Sequence, residues 1–127
     1  MKAHTDLEQS KKLAEILPIE SADMYWWSSG KRYYIEAMDD GDFNEGEGHI
    51  RAWSLAALLS VLPFHLIVNN QRYEFSMNKG LDKDGETYIL RYNVFNTDVC
   101  LYATDYYNNP IDACVDMILL CKEHNLL

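Results

Sequence analysis

The chain has 127 residues, 48% of them apolar and 24% charged, with a formal net charge of −9. That is one domain's worth of ordinary globular composition, enough to bury a core without metals or disulfides, and it excludes a disordered chain. The charge argues against nucleic acid and anionic membranes as direct partners, because phosphate binding needs a basic patch.

Thr5-Asp6-Leu7-Glu8 has the form of a capping box, with Thr5 accepting from the amide three residues on and Glu8 reaching back. Behind it Leu7, Leu13, Ala14, Ile16 and Leu17 make a helical stripe, with Glu8, Lys11, Lys12 and Glu15 on the wet side. Pro18 ends that pattern, so a helix is expected over about 6–17. Met24 to Trp27 is a dense apolar cluster without clear period, followed by the turn signal Ser28-Ser29-Gly30-Lys31. Tyr33 to Met38 reads as a short strand, which makes a hairpin across that turn. Asp39 to Gly48 holds three of the six glycines and reads as a surface loop.

Ser54 is an N-cap candidate, with Trp53 and Leu58 spaced as a hydrophobic staple; the helix is expected over about 54–62 and closes at Pro63. The apolar run around it, Leu55 to Leu66, is too short and too interrupted to span a bilayer. The period then changes to two. Phe64, Leu66 and Val68, then Tyr73, Phe75 and Met77, then Tyr88, Leu90, Tyr92 and Val94, then Val99, Leu101 and Ala103 mark four strands. Turns are expected at Asn69-Asn70-Gln71 and Asn96-Thr97-Asp98, and a loop at Gly80 to Glu86. Asn109-Pro110 opens a last helix over about 110–124, with Ile111, Cys114, Val115, Ile118 and Cys121 as its core stripe and Asp112, Asp116 and Glu123 facing water. The expectation is a single α+β domain over 1–127. An antiparallel four-stranded meander, open to extension by the N-terminal hairpin, carries three helices on one face, and Arg72, Glu74, Ser76, Arg91 and Asn93 lie on the other.

Three cysteines, Cys100, Cys114 and Cys121, form neither a disulfide framework nor a zinc spacing; reduced thiols fit the cytoplasm. Lys2 is followed by a polar segment rather than by the apolar one of a signal peptide. Residues 33–50 carry Glu36, Asp39, Asp40, Asp42, Glu45 and Glu47 with no Lys or Arg, so two thirds of the net charge sits there. Asp40, Asp42 and Asn44 have the oxygen spacing of a calcium loop, but Glu45 stands where glycine is needed and Arg51 where a glutamate belongs. Asp39, Asp40, Asp42 and His49 are suitable ligands for a divalent ion that activates water, although a glycine-rich loop does not hold them in fixed geometry. No nucleophile, metalloprotease or phosphate-loop motif occurs, so no catalytic, cofactor-binding or metal residue is assigned. Tyr25, Trp26, Trp27, Tyr106 and Tyr107 do not fit the core by period, and exposed Trp and Tyr are the types that anchor interfaces. For Trp26 and Trp27 the simplest division is one filling the core and one covering a helix end.

Three segments together resemble a family of small uncharacterised proteins from gut Bacteroidetes and their phages or mobile elements. They are Ser21-Ala22-Asp23-Met24, Ala52-Trp53-Ser54-Leu55-Ala56-Ala57-Leu58-Leu59 ending in Leu62-Pro63, and Asn109-Pro110-Ile111-Asp112-Ala113-Cys114. The resemblance spans about Leu7 to Leu120 and implies a cytoplasmic accessory protein; it carries over no catalytic residues. The expected function is a non-enzymatic module that binds another protein, a second copy of the chain included. Its surface is expected to draw on Trp26, Trp27, Asp39, Asp40, Asp42, Glu45, Glu47, Tyr106 and Tyr107. The alternatives are an acidic decoy that imitates a phosphate track for a nucleic-acid-binding protein, and a small metal-dependent hydrolase using the 39–49 loop.

Overall fold

A computed structural model describes residues 2–38 and 42–127. The chain is α+β, with three helices and two antiparallel sheets, and it divides into two compact units, residues 2–60 and 61–127.

In the first unit, α1 (Leu7–Ala14) begins one residue later than the capping pattern implied. Asp6, not Thr5, is the N-cap: Asp6 Oδ1 accepts from Gln9 N at 2.8 Å, and Gln9 Oε1 accepts from Asp6 N at 3.1 Å. Thr5 is fully buried, because its hydroxyl bonds Ser10 Oγ at 2.7 Å and accepts from Trp53 N at 3.1 Å. β1 (Met24–Ser29) and β2 (Arg32–Ala37) form the expected hairpin, turning at Gly30, whose φ of 64° suits glycine. They do not extend the meander. A strand that periodicity did not reveal, β3 (Ile50–Ala52), pairs with the other side of β1 and completes a separate sheet in the order β2-β1-β3. α1 lies along β3. Arg51, on β3, donates to the carbonyls of Ala14 at 3.1 Å and Leu17 at 2.9 Å, filling acceptors left open at the end of α1. α2 (Leu55–Val61) starts at the expected cap: Ser54 Oγ accepts from Ala57 N at 3.2 Å. Asp23 holds that cap by accepting from Ser54 N at 2.9 Å and from the Ser54 hydroxyl.

The second unit is the four-stranded meander with α3. β4 (His65–Val68), β5 (Gln71–Asp82), β6 (Gly85–Asn93) and β7 (Cys100–Ala103) pair in chain order. Asn69 and Asn70, at φ 53° and 64°, make the two-residue turn between β4 and β5. The expected loop at Gly80 to Glu86 is instead mostly strand. Gly80 pairs with Thr87 and Asp82 with Gly85, so only Lys83 and Asp84 turn. Gly85, at φ 118°, permits that tight return, and Asp82 Oδ1 accepts from Asp84 N at 2.7 Å. Leu66, Tyr88, Leu90 and Tyr92 are buried at alternate positions, but Ile89 is buried between Tyr88 and Leu90. Three residues expected on the apolar face are exposed: Met77 at 39%, and Phe64 and Val99, which lie just outside β4 and β7, at 90% and 57%. α3 (Pro110–Glu123) has Asn109 as its cap, with Asn109 Oδ1 accepting from Asp112 N at 2.9 Å. α3 lies along β6 and buries Ile111, Ala113, Cys114, Val115, Met117, Ile118 and Cys121. Asp112 and Asp116 are half-buried rather than simply wet. Asp112 Oδ2 accepts from Asn109 Nδ2 at 2.8 Å, and Asp116 Oδ2 accepts from the Tyr107 hydroxyl at 2.9 Å.

Candidate interaction surface

The three-stranded sheet gathers the aromatics that periodicity left unplaced. Strand alternation puts Tyr25 and Trp27 on one face of β1, and Met24, Trp26 and Ser28 on the other. Tyr25 is core, at 3% exposure. It stacks on His49 at 5.0 Å, meets Phe43 edge-on at 5.6 Å, and donates its hydroxyl to Glu36 Oε2 at 3.0 Å.

Trp26 and Trp27 do not divide into one core and one cover residue; both are half-buried. Trp26 donates Nε1 to the Thr5 carbonyl at 3.3 Å and meets the His4 ring edge-on at 5.1 Å. Trp27 stacks on its cross-strand neighbour Tyr34 at 4.7 Å, and its Nε1 is buried without a hydrogen-bond partner. The tryptophan that does fill the core is Trp53, fully buried, with Nε1 donating to Ser21 Oγ at 3.0 Å. Tyr33 and Tyr34 on β2 remain 47% and 41% exposed.

The acidic segment is partly tied up by its own neighbours. Asp39 and Asp40 lie outside the described residues. Asp42 is exposed. Glu45 accepts from Arg51 Nε at 2.7 Å, and Glu47 lies 3.9 Å from His49 Nε2. Asn44, expected as a calcium-loop oxygen, caps the short turn Glu45–Glu47 by accepting from Gly46 N at 2.9 Å. His49 Nδ1 accepts from Asn44 N at 3.0 Å, so the ring serves packing and loop closure. Among the described residues no group of three or more His, Cys, Asp or Glu side chains is placed to hold a metal ion.

In the second unit Tyr106 is 67% exposed, whereas Tyr107 is half-buried and its backbone bridges to Tyr88 in both directions, at 2.7 and 2.9 Å. Burial first, and then the bond to Asp116, push the Tyr107 phenol up to about 12. Cys100 is exposed; Cys114 and Cys121 are buried, and burial pushes their thiols up to about 12 and about 11. A hollow of about 270 Å³ opens beside β5 and β6, lined among others by Glu74, Ser76, Asn93 and Phe95, on the face expected to be polar.

Sequence reasoning missed the cluster of Tyr25, Phe43 and His49, since no period links residues so far apart. It also treated Tyr33 and Tyr34 as ordinary strand residues. Their exposure follows from the position of β2 at the edge of the sheet, which pairing order alone reveals.

The fold and this surface describe an α+β protein with an aromatic, partly open sheet. No protein-family model, curated protein or solved structure matches the chain. No helix among the described residues is long and apolar enough to cross a membrane.

Proposed function

We propose that the chain is a non-enzymatic module that binds another protein through the three-stranded sheet and its β2 edge. The observation that carries this reading is the pair Tyr33 and Tyr34, each more than two fifths exposed on an edge strand, with Tyr34 stacked on Trp27. Tyrosine and tryptophan supply large contact area at low entropic cost. An edge strand adds backbone donors and acceptors that a partner strand can complete. The exposed free thiol of Cys100 supports a reducing compartment, the cytoplasm, in keeping with an accessory protein of a bacterium or its phage. A photoreactive phenylalanine analogue at position 33 or 34 tests the reading in cells. Crosslinks to protein are expected from both positions and not from position 122 on α3. Equal yield at all three, or none from positions 33 and 34, would overturn it.

A further inference from the structure

β2 is the outermost strand in the order β2-β1-β3. The phase of its backbone is set by the hairpin. Met38 N donates to the Asp23 carbonyl at 2.9 Å, continuing the register in which Met24 faces Ala37. Alternation in an antiparallel ladder then turns the backbone groups of Arg32, Tyr34 and Glu36 toward β1, and those of Tyr33, Ile35 and Ala37 outward.

That phase restricts how two copies of β2 can pair. Across a two-fold axis, antiparallel strands must match outward residues with outward residues, so the axis passes through a residue and not between two. Centring on Tyr33 puts Arg32 opposite Tyr34, and centring on Ile35 puts Tyr34 opposite Glu36. Centring on Tyr34 puts Arg32 opposite Glu36 of the second copy and Glu36 opposite its Arg32. The same register sets Tyr33 against Ile35 in both directions, an aromatic against a β-branched side chain. Each of those pairs exchanges both backbone hydrogen bonds. Tyr34 meets its own copy on the axis, in the closer, non-hydrogen-bonded type of pair, so two Trp27–Tyr34 stacks adjoin. Arg32 and Glu36 are both exposed, and Arg32 has no ion pair among the described residues. Glu36 uses Oε2 for the Tyr25 hydroxyl, and its carboxylate has a second oxygen that can accept from a guanidinium.

We infer that β2 pairs antiparallel with β2 of a second copy, centred on Tyr34, joining two three-stranded sheets into one. This rests on the protein-binding reading above and names its partner. Charge complementarity selects the second copy as occupant, since the strand is its own complement in a single register.

Light scattering after size exclusion, on the full chain, tests it. The natural chain is expected to dimerise at high micromolar concentration. Arg32→Glu and Glu36→Arg each set like charges opposite one another twice, and each is expected to raise the dimer dissociation constant roughly tenfold or more. Mixing the two variants in equal amounts is expected to restore association, because one copy then offers two acids and the other two bases. Both positions are exposed, and recovery on mixing also shows that the variants are folded. A monomeric natural chain, charge reversals without effect, or a mixture that stays monomeric would each overturn the pairing. A monomeric chain that still crosslinks to another protein from positions 33 and 34 removes the self-pairing alone; no crosslink from either position removes the protein-binding reading with it.

Discussion

Thr5 illustrates how one hydroxyl can change roles. The spacing Thr5 to Glu8 suits a cap, but the hydroxyl lies between Ser10 Oγ and the backbone N–H of Trp53, at zero exposure. Thr5→Val keeps the shape and leaves both groups without that oxygen, so unfolding free energy should fall by about 1–3 kcal/mol in urea titration. Asp6→Ala, which removes the cap actually used, should cost about 1 kcal/mol.

Titrating residues give two further outcomes. Tyr107 keeps its proton to about 12 in the folded chain, against about 10 in the unfolded one. Its contribution is therefore complete below about pH 10 and is lost as pH rises through about 12. Tyr107→Phe should flatten the alkaline fall in urea midpoint. It will not abolish the fall, because Cys114 and Cys121 are raised too and lose their contributions over an overlapping range. At neutral pH a thiol-reactive chromophore should label Cys100 fast and the two buried thiols only on unfolding. Persistent fast labelling of a Cys100→Ser variant would contradict that placement.

At the scale of elements, the turns govern where strands begin and end. Asn69 and Asn70 both sit in the left-handed region, where a short polar side chain is tolerated and alanine is not. Asn70→Ala should lower stability by roughly 1 kcal/mol, whereas Asn70→Gly should hold or raise the melting temperature. The β5–β6 return was legible in Asp84-Gly85, a turn signal hidden inside a polar run, although the residues that turn are Lys83 and Asp84 and the glycine opens β6. The polarity of Lys79 to Glu86 masked it, because a hairpin end exposed on both faces loses the apolar alternation that marks a strand. β3 escaped for another reason. Three residues cannot display a period, and this strand exists because β1 offers a second edge and Arg51 reaches the open carbonyls of α1.

At the scale of the whole molecule, net charge governs solubility more than fold. With a formal charge of −9 and a pI near 4.7, copies repel one another at neutral pH. Turbidity against pH should peak near that pI, with full solubility recovered above pH 7. The local Arg32–Glu36 complement must act within this general repulsion, which favours a contact of fixed register over non-specific clustering.

The candidate surface was half legible. Trp26 and Trp27 stood out by composition; the stack of Trp27 on Tyr34 follows from the register of the expected hairpin, whereas Trp26 is held by His4 and Thr5, which no spacing rule connects to it. By itself the order of residues determined the α+β class, the meander and the capped helix α3, because period and capping act over a few neighbouring residues. Tertiary structure alone decided that the N-terminal hairpin builds its own sheet, that Tyr25 and Trp53 are core, and that β2 is an edge. Those outcomes depend on which distant segments pair, and strand pairing is settled by the competition of whole faces for burial, not by any local signal.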